Sequence, residues 1–284
     1  MSCDSIGKVA VLGLGIVGSR ACLRLAEAGL RVSCWNRTPK GFDGETQTPE
    51  QAVDGASIIS IYLKDAPAVR EVVTRIAPCL LPNQIVLNHS TVDLETTKWL
   101  DEICGSRGCR FLDAPFTGSK VAAETGQLIY YIGGEESLAD ELESYLSITS
   151  RKCLHCGAVG AATVIKLATN LISACTLQAM AESLAITIGH GVSGECLVAA
   201  VAENASSSGL MKMKFPMMLS QDFETHFSLS NMGKDSRYML ALAASAGVET
   251  PAIAAVSQRM ADLCALGLGD HDFSVLAKPY LEPK

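Results

Sequence analysis

Several things are scarce in this chain of 284 residues. Only 19% of the residues are charged, against 48% hydrophobic. Disordered chains show the opposite balance, so a folded protein is expected, long enough for two domains with cores of their own. No run of lysines or arginines occurs, and the formal net charge is −7. Nucleic acid and anionic membranes are held through clustered basic side chains, so neither is an expected partner. No targeting peptide is expected ahead of Lys8, where the first strong signal begins, and the expected compartment is the cytoplasm. Regular cysteine spacing is lacking as well. Eleven cysteines spread from Cys3 to Cys264, which fits a reducing compartment with small thiols tolerated in the core. "CLHC" at 153–156 is a lone CxxC with no second pair, only half a zinc site. It reads as a short strand leading into Gly157, and no metal is expected.

Charge is also nearly absent from residues 158–189. Lys166 and Glu182 are the only charged side chains there, and no proline interrupts the run. This predicts one long helix buried on most sides. The length suffices to cross a bilayer. However, Lys166, Asn170, Gln178 and Glu182 recur at near-helical spacing and predict a protein core helix with one polar stripe. A buried, unpaired ammonium is costly, so Lys166 calls for an explanation.

The amino-terminal half supplies the chemical context. "KVAVLGLGIVGSRACLRLAEAGLRVSCWNRT" begins with an apolar strand, Lys8–Leu12. Gly13, Gly15 and Gly18 follow at GxGxxG spacing, together with Leu14, Ile16 and Val17. A helix then runs to about Ala28, Gly29 ends it, and a second strand spans Arg31–Asn36. In such a unit one glycine makes the tight turn, one admits a pyrophosphate and one lets helix and strand pack. The helix start offers free N–H groups to the phosphates. The carboxylate that usually holds an NAD ribose is missing at the end of the second strand. Asn36, Arg37 and Thr38 stand there, and Arg37 offers a fork of donors to a 2′-phosphate. The expected cofactor is NADP(H).

Further apolar strands are predicted at Ser57–Ile61, Ile85–Asn88, Arg110–Asp113 and Leu128–Ile132. Helices are predicted near Ala66–Ala77, Asp93–Gly105 and Ser137–Ser147, with one or two turns around Glu50–Val53. The expected fold is α/β, a Rossmann-type doubly wound sheet domain over 1–157. An all-helical domain over 158–284 is entered through the long helix, with segments at Gly194–Asn204, Leu229–Ala246 and Pro251–Gly267. Apolar Leu197, Val198 and Val201 on one segment, and Ile253, Val256 and Met260 on another, need a partner within the chain or across an oligomer interface.

Two features carry reaction chemistry. Lys166 and Asn170 lie four apart on one helix face, where an ammonium oriented by the amide stabilises a developing oxyanion and donates a proton. A snorkelling lysine is the plainer alternative. "PFTGSK" follows the Arg110–Asp113 strand, and ligands of open α/β sheets bind beyond strand carboxyl ends. Thr117 and the N–H groups near Gly118 suit a carboxylate there, although an ordinary turn would read the same way.

The stretches "GLGIVG" at 13–18, "STV" at 90–92, "DAPFTGS" at 113–119, "GAVGAATVIKLATN" at 157–170 and "MGKDSRYML" at 232–240 together resemble the β-hydroxyacid dehydrogenase family, over nearly the whole chain. "GSKVAAETGQL" after the DAP motif is most similar to the glyoxylate and succinic semialdehyde reductase branch. The resemblance implies a catalytic Lys166 with Asn170 beside it. It implies substrate contacts from Thr117, Gly118, Ser119, Phe227 and Asp235. Cofactor contacts are implied for the glycine turn, Leu63, Thr91 and Lys234. The family cofactor is NAD or NADP, and members are commonly dimers or tetramers. Three departures stand out: Thr117 where serine is usual, Phe116 in place of a smaller residue, and a shortened segment after Arg37. The expected activity is NADPH-dependent hydride transfer to a small aldehyde or keto acid, with Lys166 as general acid. An imine reductase and a non-catalytic dinucleotide-binding protein are the rival readings.

Overall fold

The computed structural model describes residues 6–281. The chain divides into two compact units between Lys166 and Leu167. The expected domain limit lay at the start of the long helix, whereas the unit boundary falls inside it. The first turns of that helix stay with the sheet unit because Thr163 bonds to side chains of that unit, as described below.

The first unit contains β1 (Lys8–Leu12), α1 (Ile16–Glu27), β2 (Arg31–Trp35), α2 (Pro49–Val53), β3 (Ala56–Ile61), α3 (Ala66–Ile76), β4 (Ile85–Asn88), α4 (Leu94–Ser106) and β5 (Arg110–Asp113). They are followed by β6 (Phe116–Thr117), α5 (Lys120–Glu124), β7 (Leu128–Gly133), α6 (Glu136–Glu141), α7 (Glu143–Leu146) and β8 (Ser150–Gly157). The strands form one sheet in the order β2-β1-β3-β4-β5-β7, with β6 and β8 both pairing β7. β1 to β5 are parallel, β7 runs antiparallel to β5 and β6, and β8 lies parallel to β7. Parallel strands covered by helices on the two faces need continuous apolar runs, and β1, β3 and β4 supply them. This is the expected α/β class, a Rossmann-type sheet followed by helices.

Several elements depart from the sequence reading. β2 stops at Trp35 because the Asn36 side chain turns to the glycine loop. The helix expected over Ser137–Ser147 breaks at Leu142, giving α6 and α7. The PFTGSK stretch contains a two-residue strand and a short helix, not a plain turn. β8 begins at Ser150, so the CLHC residues sit inside a strand of eight residues. No group of three or more metal-ligating side chains occurs among the described residues, and every described cysteine is a free thiol.

α8 (Ala161–Gly189) leads into the second unit, which holds α9 (Gly194–Ala202), α10 (Gly209–Ser220), α11 (Leu229–Ser245), α12 (Pro251–Leu263) and α13 (Lys278–Leu281), with a 3₁₀ turn at Phe273–Ala277. α10 was not anticipated: it carries Pro216 and lacks a clear apolar periodicity. α12 ends at Leu263, short of the expected Gly267, whose φ of +83° closes a wide turn. α8 is the one described helix long and apolar enough to cross a membrane. Its Leu167, Ala174, Leu177, Met180, Ala181 and Leu184 are buried in the core of the second unit. Ile253, Val256 and Met260 are buried in the same core, and Leu197, Val198 and Val201 pack against it. Those apolar faces therefore find their partner within the chain.

Candidate active site

The glycine turn between β1 and α1 has the geometry that the spacing predicts. Gly13 has φ +101°, a region most side chains avoid, and its N–H donates to the Trp35 carbonyl at 2.8 Å. A Cβ on Gly13 would lie 2.3 Å from the Tyr62 carbonyl oxygen, and one on Gly18 would lie 2.0 Å from the Gly13 carbonyl oxygen. Gly15 differs: a Cβ there would meet open space, so its backbone is accessible to a ligand. Gly15 is also the N-cap of α1 and contributes no capping side chain. The N–H groups of the first helical turn, at Ile16, Val17 and Gly18, are left to an outside acceptor. A dinucleotide pyrophosphate fits these features.

The Leu14 N–H donates to Asn36 Oδ1 at 2.9 Å, and Asn36 Nδ2 donates to the Thr38 carbonyl at 2.7 Å. Asn36 thus ties the glycine turn to the loop after β2. Arg37 lies on the surface and forms an ion pair with Glu71 of α3 at 2.7 Å. On the other side of β1, the Leu63 N–H donates to Ser90 Oγ at 2.8 Å, which fixes the loop after β3 against the turn that carries Thr91.

Tyr62 lies at the centre of this arrangement and was not singled out by sequence. Its backbone and Cβ are the surfaces that Gly13 and Gly18 approach. Its ring is 6.2 Å from Phe116 and stacks on His89 at 4.4 Å. Its hydroxyl meets Tyr130 at 2.8 Å, and Tyr130 meets Thr149 at 2.9 Å. The buried His89 has Nδ1 2.8 Å from the Ala114 carbonyl, so Nδ1 carries the proton. Nε2 then accepts from Ser60, whose hydroxyl in turn accepts from Tyr145. Burial lowers the pKa of His89 to about 4, so the ring is neutral above that pH. Burial also drives the Tyr62 phenol well above its ordinary value. This neutral network supports the glycine turn and the Phe116 strand from below.

Thr117 pairs with Ile129 across β6 and β7 and is partly buried. Gly118 has φ +143°, and a Cβ there would lie 2.8 Å from Leu128. The Ser119 hydroxyl accepts from the Ala122 N–H at 3.3 Å and caps α5. This uses one of the two lone pairs of the hydroxyl. α5 is held to α1 by the ion pair of Arg20 with Glu124 at 2.7 Å.

Asp113 ends β5 and is fully buried. Its carboxylate accepts from the Thr163 N–H at 2.8 Å, from Thr163 Oγ1 at 2.9 Å, and from the Gly160 N–H. Thr163 Oγ1 also meets Thr97 at 2.8 Å. Asp113 therefore fastens the start of α8 to the sheet. Burial raises its pKa to about 6 despite these donors. One turn beyond Thr163, Lys166 is only 9% exposed.

In the second unit Asn170 Nδ2 donates to Asp235 Oδ2 at 2.8 Å, and Asp235 Oδ1 pairs with Lys234 at 2.9 Å. Lys234 also lies 5.2 Å from the Tyr238 ring centre. Asn170, Lys234 and Asp235 thus form one buried polar group. Phe227 packs edge-on to Phe273 at 5.9 Å. Its loop is fixed by the buried Asp272, which accepts from the His226, Phe227 and Ser274 N–H groups and pairs with Lys214 at 2.7 Å. Burial opposes ionisation of Asp272, but the Lys214 hydrogen bond and charge outweigh it and keep the carboxyl below its ordinary range. Lys214 lies in the apolar stretch "LMKMKFPMM", the same kind of anomaly as Lys166, and that signal was legible.

Residues 8–157 match the NAD binding domain of 6-phosphogluconate dehydrogenase. Residues 160–280 match the family described as NAD-binding of NADP-dependent 3-hydroxyisobutyrate dehydrogenase. The chain belongs to the β-hydroxyacid dehydrogenase family. As a member of this family it is an NAD(P)-dependent hydroxyacid dehydrogenase or reductase. Glyoxylate/succinic semialdehyde reductase 1 of Arabidopsis thaliana is 29% identical over 279 residues, covering 95% of this chain and 96% of the relative. The cytokine-like nuclear factor N-PAC of Homo sapiens is 27% identical over 284 residues, covering 96% of this chain but 51% of that protein. A Mycobacterium tuberculosis 3-hydroxyisobutyrate dehydrogenase solved with L-serine shares the fold, with a TM-score of 0.90 at 23% identity, over 98% of this chain and all of that one. A Streptomyces aurantiacus imine reductase has a TM-score of 0.64 at 19% identity, over 97% and 100%.

Proposed function

We propose that this family member is an NADPH-dependent reductase of a small aldehyde or keto acid, with Lys166 as the general acid, acting in the cytoplasm as a homodimer or homotetramer. The observation that carries the catalytic part is Lys166 itself, 9% exposed on α8, one turn before an Asn170 whose amide is oriented by Asp235 at 2.8 Å. With Nδ2 donating to Asp235, the Asn170 oxygen is left to accept, and an ammonium four residues earlier suits it.

When bound, the cofactor supplies a hydride to the carbonyl carbon. The glycine turn and the start of α1 hold its pyrophosphate, and Arg37 holds its 2′-phosphate. The Thr117 hydroxyl and the Gly118 N–H donate to the substrate carboxylate, and Ser119 fixes the loop by capping α5. Lys166 Nζ stabilises charge developing on the carbonyl oxygen and gives it a proton. Asn170 holds the ammonium in place. The proton and the hydride together convert the carbonyl to a hydroxyl group. Lys234, Leu63 and Thr91 support the cofactor, and Phe227 and Asp235 line the substrate side. The semialdehyde reductase relative supports the substrate class.

Lys166→Met preserves length and apolar bulk while removing the charge. Losing one preorganised oxyanion donor costs about 10²–10³ in turnover. Turnover of glyoxylate and succinic semialdehyde should fall by at least that much, with NADPH affinity and melting temperature little changed. Substantial activity in the methionine variant would reduce Lys166 to a snorkelling side chain. A cyclic imine assayed beside glyoxylate separates the imine reductase reading, because imine reduction does not require this lysine.

A further inference from the structure

We propose that Glu71 is a cofactor-selectivity residue that competes with the 2′-phosphate of NADPH for the Arg37 guanidinium. The inference rests on the NADPH reading given above. Dinucleotide folds that prefer NAD place a carboxylate at the end of the second strand, against the ribose. Here Asn36 occupies that place, and its amide serves the glycine turn through the Leu14 N–H at 2.9 Å. A carboxylate arrives in space by another route: Glu71 of α3 lies 2.7 Å from Arg37 Nη2.

α3 presents that carboxylate from a fixed backbone. Asp65 caps its start by accepting from the Ala68 N–H at 2.9 Å. Arg75, one turn past Glu71, donates to both oxygens of Glu50 on α2 at 2.9 and 3.0 Å, and its guanidinium lies 5.8 Å from the Trp35 ring centre. On the other side Arg70 donates to Thr96 at 3.0 Å and to Glu95 at 3.1 Å. Arg37 and Glu71 are themselves well exposed, at 67% and 53% of their side-chain surface.

A phosphate dianion is a stronger partner for a guanidinium than one carboxylate, so the 2′-phosphate displaces Glu71. The displaced carboxylate then stands beside a second anion on the same guanidinium. NADH carries no charge at that position and leaves the Arg37–Glu71 pair intact. Glu71 therefore narrows the preference for NADPH that Arg37 creates. An exposed ion pair is weak, and breaking it corresponds to about two- to fivefold in affinity.

The test is Glu71→Gln, with NADPH and NADH dissociation constants measured at low ionic strength, where exposed pairs are least screened. The NADPH-to-NADH affinity ratio should rise about two- to fivefold. Repeating the substitution in an Arg37→Ala background should abolish the gain, because the two residues act through one contact. A ratio that stays constant or falls in Glu71→Gln overturns the inference, as does a gain that persists without Arg37. Failure of the NADPH reading looks different: the unsubstituted protein would bind both cofactors equally, or Arg37→Ala would leave NADPH affinity intact. Either result removes the inference along with the reading.

Discussion

At the scale of the residue, buried lysines are distinguished by their partners. Lys214 is neutralised by Asp272 at 2.7 Å and sits 5.0 Å from the Phe273 ring centre, so its charge serves the loop that bears Phe227. Lys234 has Asp235 at 2.9 Å. Removing one partner of such a buried pair costs of the order of 3–5 kcal/mol, because an uncompensated charge is left behind. In the proposed mechanism Lys166 is the general acid, one turn before an Asn170 amide that Asp235 orients at 2.8 Å. In the proposed site Thr117 contributes a hydroxyl to the substrate carboxylate beside the Gly118 N–H. Thr117→Val keeps the shape and removes that hydroxyl, and the added methyl of threonine over serine remains in place. The Michaelis constant for carboxylate substrates should rise by about tenfold, as expected for a hydrogen bond to a charged group worth roughly 1.5 kcal/mol. The constant for matched uncharged aldehydes should change less. An equal rise for both would make Thr117 a packing residue.

At the scale of the element, α8 has its position set by Asp113. That carboxylate replaces an N-cap side chain by accepting from Gly160 and Thr163. Burial raises its pKa from 3.8 to about 6, so the folded state binds its proton more tightly than the unfolded chain does. The stabilisation from that proton is complete below pH 3.8 and is lost as pH rises through about 6. Asp113 therefore contributes a negative slope of stability against pH in this window, of roughly 1–3 kcal/mol in total. Asparagine is nearly isosteric. Its oxygen accepts from the Thr163 N–H and its NH₂ donates to Thr163 Oγ1, which then donates to Thr97. Asp113→Asn should flatten this part of the pH dependence, measured as urea midpoints from pH 4 to 7, and should not weaken folding at pH 7. An unchanged slope would mean that other groups set it.

At the scale of the whole molecule, the apolar segments of the second unit give no reason to expect an oligomer, since Ile253, Val256 and Met260 are consumed by its own core. Part of the remaining apolar exposure lies on α8, and the rest is scattered over positions such as Leu266, Val121 and Val248. Ile172 and Ile186 are each 64% exposed, and Ile165 and Ile188 also face outward. A helix with an apolar stripe left open favours association, because removing that surface from water is stabilising by about 25 cal/mol per Å². The proposed dimer or tetramer is checked by light scattering at micromolar concentration. A mass of at least twice the chain's 30.0 kDa is expected. A single species at the chain mass would refute the assembly. Ile172→Glu with Ile186→Glu should shift any assembly toward that mass.

Sequence periodicity alone determined the strands and helices that carry the glycine turn, because apolar runs bounded by glycine are local signals. β1, β4 and β5 lie where the apolar runs placed them, and the three glycines have the separate steric tasks that their spacing implies. The missing carboxylate at Asn36 was legible for the same reason. Tertiary structure alone decided which distant side chains meet. Glu71 of α3 reaches Arg37 in the loop after β2, Asp113 fastens the start of α8 from fifty residues away, and Asp272 neutralises Lys214 across 58 positions. Tyr62 became the support of two loops only when β3 was laid between β1 and β4. A chain records which residues can bear charge or bury surface, whereas the sheet order and helix packing choose their partners. The order of strands is set by non-local burial, and no local pattern encodes it.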